Sequence, residues 1–274
     1  RLQTEGQQGF YVILTEQADL SKAAEQGSKE ARTAYVLEQL TSTANKTQPA
    51  LWGYLDAQGV EYRSMYIQNM IRVQAAGLEE VLALAARKDV AKIDLLPETY
   101  MDPVWKSLTD EQKVEAIEWN ITRIGAPDAW AMGFNGDGYV VASHDTGVDY
   151  THPALVEKYR GNEGGGNFDH NYNWWDGLSG YDYPHDYDGH GTHTTGTMVG
   201  DDGVGNQIGV APGAQWIACP GIAGVPDTIE CFEFFLAPWD LNGQNADPSM
   251  APDSINNSWY DTSGYDFRPI IQTL

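Results

Sequence analysis

The chain is predicted to be α/β, a doubly wound parallel sheet preceded by a small α+β domain. Three observations support this. Charge is unevenly placed: the 274 residues carry 39 Asp+Glu against 16 Lys+Arg, net −23. Residues 1–105 hold 10 basic and 14 acidic side chains, net −4, and residues 106–274 hold 6 and 25, net −19. The first stretch reads β-α-β-α-β, a small unit with helices on one face of a split β-α-β sheet. From Trp119 short apolar strands alternate with helical segments and Lys nearly disappears, the pattern of a parallel sheet wound on both faces. The expected boundaries are 1–105, a hydrophilic connector at 106–118, and 119–274.

Each element has its own signal. Residues 9–15 are an apolar run suited to a buried strand. From about Ser21 to Asp56 the chain favours helix, with a polar interruption at 41–47. Residues 62–75 alternate, with Met65, Ile67, Ile71, Val73 and Ala75 on one face, and are predicted as one strand. Leu78–Lys88 has helical spacing, and Val90–Leu96 is a strand stopped by Pro97. In the second unit 139–143, 209–211, 215–218 and 254–259 read as strands and 229–237 as a helix. The Gly-Gly-Gly and Trp-Trp-Asp stretches in 163–177 read as a long surface loop.

Composition excludes several classes. Hydrophobic residues make up 42% and aromatics 11%, enough for a packed core. A pI near 4.3 leaves nothing to neutralise a run of phosphates, so no nucleic-acid partner is expected. No stretch approaches the roughly 18 apolar residues of a membrane span. Cys219 and Cys231 can close one small disulfide loop or remain two buried thiols; spacing alone does not decide. The chain starts at Arg1 and ends in a helical pattern without a stop signal, so it is read as an incomplete chain.

Two blocks carry chemistry. Val140-Val-Ala-Ser-His-Asp145-Thr-Gly ends an apolar strand on an Asp, where reactive groups collect in open α/β sheets. Taken alone, such an Asp also serves as a turn cap. Asp188-Gly-His190-Gly-Thr-His193-Thr-Thr-Gly196 places a His at the start of a segment of small residues. Metal ligation by His190 and His193 lacks a third ligand and a His-Glu-x-x-His spacing. A neutral His beside a carboxylate is a general-base arrangement, and Asp145 with His190 is the candidate pair.

Asp145-Thr-Gly-Val and His190-Gly-Thr-His-x-x-Gly-Thr, 45 residues apart and in that order, resemble the Asp and His blocks of subtilisin-like serine proteases (peptidase S8), in the bacillopeptidase F-like form. The likeness runs from about Trp119 to the end. Pro252–Trp259 resembles the family's substrate-binding strand. Residues 9–100 resemble, in element order only, its ferredoxin-like inhibitory propeptide (inhibitor I9-like). The resemblance implies a secreted, extracellular endopeptidase that acts on polypeptide substrates through an acyl-enzyme. Asp145 and His190 would be catalytic, and the backbone of Ser258, Trp259 and Tyr260 would pair with substrate. It also implies that residues 1–105 act as a propeptide in the cleft.

The family's Gly-Thr-Ser-Met-Ala block and its oxyanion Asn are absent from these residues and are expected in a C-terminal remainder of the domain. Ser249-Met-Ala imitates that block but precedes the substrate strand and reads as a loop. The alternative is a protease-derived binding protein without a nucleophile. His144 and Tyr260 replace an aliphatic residue and a Gly of the pattern, and Ala154 replaces an Asp that binds calcium in relatives. No cofactor is required. Structural calcium is unassigned: Asp182/Asp186/Asp188 and Asp201/Asp202 could supply oxygen ligands, but solvated acidic loops are the commoner outcome.

Overall fold

The computed structural model describes residues 6–103, 117–177, 180–222 and 228–274. Packing divides the chain into two compact units, one of residues up to Thr99 with Asp261–Leu274, the other Tyr100–Tyr260. Of the expected connector, residues 106–116 lie outside the described residues.

The first unit is built on β1 (Gln8–Leu14), α1 (Lys29–Thr47), α2 (Pro49–Gln58), β2 (Tyr62–Met65), β3 (Met70–Ala76), α3 (Leu78–Ala85) and β4 (Val90–Leu95). The four strands form an antiparallel sheet in the order β2-β3-β1-β4. Phe10, Val12 and Leu14 of β1 pack with Leu51, Leu55 and Leu84 of the helices. Tyr11, also buried, lies edge-on to Tyr265 at 5.7 Å. With both faces covered, β1 is apolar and buried from Phe10 to Leu14. Residues 261–274 belong here because Asp261 accepts from the Glu98 amide at 3.0 Å, Tyr265 donates to Gln68 at 2.8 Å, and Ile270 is buried.

Two expectations are corrected in this unit. The stretch 62–75 is a hairpin, β2 and β3, and not one strand. Asn69 turns the chain at φ 39°, a conformation that Asn tolerates. Its side chain donates to the Glu16 carbonyl and accepts from Gln48 Nε2. The polar stretch 41–47 does not interrupt the helix: Thr41 and Thr47 direct their hydroxyls to carbonyls four residues back, and α1 continues to Thr47. The break falls at Gln48-Pro49, where the proline lacks the amide hydrogen that α1 would need to continue.

The second unit contains α4 (Trp119–Arg123), α5 (Ala126–Ala131), β5 (Val140–Asp145), α6 (His190–Val199), β6 (Gln215–Pro220), α7 (Thr228–Leu236) and β7 (Ser254–Asn256). Its sheet is parallel, ordered β7-β5-β6, with Asp145 opposite Pro220 and Asn256 opposite Ser143. Trp216 and Ala218 face Val199 of α6, whereas Ile217 and Cys219 face Phe234 and Phe235 of α7. Helices therefore cover both faces, as a doubly wound sheet requires. Cys219 and Cys231 form a disulfide joining β6 to α7.

The structure departs from the expected strands and loop here too. Residues 209–211 are not a strand; the amides of Gly209, Val210 and Ala211 bond to the carbonyls of Gly200, Thr197 and Met198, satisfying the end of α6. The last strand stops at Asn256 instead of continuing to Trp259. The Trp-Trp-Asp stretch is not a surface loop: Trp174 is 0% exposed and bridges to Ala218. Among the described residues no helix is long and apolar enough to cross a membrane.

Candidate active site

Asp145 ends β5 and His190 begins α6. The carboxylate is 0% exposed and the imidazole residue 7%. His190 Nδ1 lies 2.6 Å from Asp145 Oδ1. The same oxygen accepts from the Thr146 amide at 2.8 Å, and Oδ2 accepts from Thr194 Oγ1 at 3.1 Å. Burial pushes the Asp145 pKa up from its ordinary value, opposed by the His190 and Thr146 hydrogen bonds. An ionised carboxylate only accepts; opposite one, Nδ1 carries the imidazole proton and Nε2 keeps a lone pair that can act as a base.

Glycines make this approach geometrically accessible. Gly147 follows the Asp at φ 102°, and Gly191 sits so close to it that a Cβ would overlap the Gly147 carbonyl oxygen. A side chain at Gly191 would keep α6 from coming this near to the end of β5, and one at Gly147 would overlap the His185 carbonyl oxygen.

Sequence reading missed Asp186, which it treated as part of an acidic cluster. Its Oδ1 accepts from Thr146 Oγ1 and from the amides of Asp188 and Gly189; its Oδ2 accepts from the Thr192 amide and hydroxyl. It thereby caps α6 and joins it to the loop after Asp145. Burial disfavours the charge, but the Thr192, Gly189 and Thr146 donors outweigh it and hold the pKa below the ordinary carboxylate value. An acidic residue four before a predicted helical His was the available signal.

The other expected site residues lie past β7. Ser258 Oγ exchanges hydrogen bonds with the Asn256 side chain. The Trp259 ring stands 5.3 Å from His144 and 6.4 Å from Phe232. Tyr260 is 51% exposed, its ring stacked on Tyr100 at 6.0 Å. Ser249 bonds to Asp247 in a 3-10 turn. Asp201 and Asp202 accept from amides of their own loop. Among the described residues no group of three or more His, Cys, Asp or Glu side chains is placed to hold a metal ion.

Residues 136–259, which include both members of the pair, match the Subtilase family, peptidase S8. Over these residues the chain is similar to the subtilases. Bacillopeptidase F of Bacillus subtilis (strain 168) is 40% identical over 271 residues, covering 91% of this chain and 19% of that protein. The major intracellular serine protease of the same strain is 34% identical over 154 residues, covering 55% of this chain and 44% of that one. The chain thus spans less than half the length of either relative. Among solved structures, fervidolysin from Fervidobacterium pennivorans, described as a keratinolytic enzyme related to subtilisin, aligns with TM-score 0.53 at 15% identity, over 97% of this chain and 38% of that one. That likeness speaks to the fold alone.

Proposed function

We propose that the chain forms part of a secreted serine endopeptidase in which Asp145 and His190 serve a serine located outside these 274 residues. The observation that carries this reading is the 2.6 Å contact between buried Asp145 and His190 Nδ1 at the carboxyl end of a parallel strand. In the proposed cycle His190 Nε2 takes the hydroxyl proton as the serine oxygen attacks the peptide carbonyl. The imidazolium, stabilised by Asp145, then returns the proton to the leaving amine, giving an acyl-enzyme that water hydrolyses by the same exchange.

The backbone of Ser258, Trp259 and Tyr260 would hold an extended polypeptide substrate. This is supported by their position just past β7, beside the strand that ends at Asp145. Residues 1–105 would act as the propeptide. The β-α-α-β-β-α-β order of the first unit, a β-α-β-β-α-β pattern whose first helical segment is broken at Pro49, favours this, as does Tyr100 stacking on Tyr260 within the second unit. A peptide of residues 1–105 that leaves the mature enzyme uninhibited at micromolar concentration removes that assignment. Extracellular location is supported by the Cys219–Cys231 disulfide, which suits an oxidising compartment. No cofactor takes part in the proposed chemistry.

A fluorophosphonate probe applied to the full-length protein tests the reading. The wild type should label and His190→Ala should not. A folded wild type that stays unlabelled favours instead a protease-derived binding protein.

A further inference from the structure

His144 precedes Asp145 on β5, and its side chain is directed to the opposite face of the sheet, where it packs against α7. It is 0% exposed. Phe232 lies edge-on at 4.7 Å, Trp259 at 5.3 Å and Phe235 at 6.0 Å. A Cβ on Gly221 would overlap both His144 Nε2 and Cys231 Sγ, so the ring is tightly packed on that side. An aliphatic side chain would occupy this volume without the cost of burying a polar ring. Beyond that packing, His144 Nδ1 lies 3.0 Å from Asn257 Oδ1. Asn257 Nδ2 meanwhile donates to the Ile255 carbonyl at 3.4 Å, which turns Oδ1 toward the ring and makes Nδ1–H the donor.

Asn257 is the first residue after β7 ends, and it is exposed. From here the chain has left the parallel ladder, and His144 ties it back to β5. We propose that His144 is a positioning residue for the substrate-binding segment: it holds Asn257 by hydrogen bond and supports the Trp259 ring, thereby setting the path of Ser258–Tyr260. This rests on the reading of that segment as substrate-binding. Because His144 and Asp145 serve opposite faces, the effect runs through substrate placement and not through the proton on His190.

The test uses the full-length protein with active sites counted by fluorophosphonate labelling. KM and kcat are measured for a tetrapeptide amide, which reaches along the segment, and for a single-residue ester, which does not. His144→Leu and Asn257→Ala should each raise the tetrapeptide KM relative to the ester KM by about fivefold, the order set by one hydrogen bond. Combining them should add little, since both remove the same contact. His144→Gln, which restores a donor, should recover part of the loss, and the pH midpoint of kcat/KM should stay fixed. Ratios of the two KM values equal to wild type, with only thermal stability lowered, overturn the proposal and leave His144 a packing residue. If His144→Leu does not fold, exposed Asn257→Ala carries the test alone. A wild type that does not label fails the endopeptidase reading itself, an outcome separate from unchanged KM ratios in a labelling enzyme.

Discussion

Gly191 approaches Gly147 so closely that a methyl group on the first would overlap the carbonyl oxygen of the second. The contact sets how near α6 comes to the end of β5, and hence the reach from His190 to Asp145. Gly191→Ala should force the two segments apart. Overpacking of this kind costs about 1–3 kcal/mol, read as a lower denaturation midpoint. Activity should fall further than stability, because a displacement of about 1 Å at a reacting group costs on the order of 100-fold. Gly196, with open space around its Cβ position, is the control site, and Gly196→Ala should be tolerated.

Asp186→Asn should lower stability by about 1–2 kcal/mol at pH 7, since an amide nitrogen would face donors that the carboxylate now accepts. The pH dependence has a definite sign. Hydrogen bonding holds the folded-state pKa of Asp186 below the ordinary value, so the folded protein binds fewer protons at this group than the unfolded chain does. Its contribution is complete above roughly pH 4 and is lost as pH falls through the folded pKa. Urea midpoints of wild type and variant should therefore converge in acid. Asp145 has the opposite sign: burial raises its pKa, and ionising it costs stability as pH rises through that value. Comparing the Asp186 variant with wild type, at matched pH, cancels the Asp145 contribution. A gap between the midpoints that does not narrow as pH falls below roughly 4 would assign the Asp186 effect to something other than its charge.

The Cys219–Cys231 bridge closes a separation of 12 residues between β6 and α7, both ends buried. Replacing both cysteines by Ala should cost about 2–4 kcal/mol, mainly through the freer unfolded chain. Chemical denaturation under non-reducing conditions checks this; no change in midpoint would mean that the aromatic packing of α7 alone fixes the helix.

Much of the second unit was legible in the sequence because its signals are local. Asp145 closes an apolar strand and His190 opens a run of small residues, and both features survive in any window of ten residues. What sequence reading missed depends on partners far along the chain. The alternation of 62–75 continues through the Asn69 turn, so periodicity alone joins β2 to β3. Thr41 and Thr47 look like helix breakers until their hydroxyls find carbonyls one turn back. Trp174 sits in a Gly- and Asn-rich stretch, and only the bridge to Ala218 shows it to be core. Asp186 resembles any solvated acid until Thr146, 40 residues earlier, donates to it. Residues 261–274 read as a continuation of the second unit because nothing local records the Gln68 and Glu98 contacts.

The most direct measurement is nitrogen-15 NMR of the His190 ring in the full-length protein, with and without Asp145→Asn. The proton of the neutral imidazole should reside on Nδ1, strongly downfield from its bond to Asp145, and should leave that position when the carboxylate is replaced. A proton on Nε2 in the wild type, or a spectrum indifferent to Asp145→Asn, would contradict the proposal that this carboxylate prepares His190 as a base.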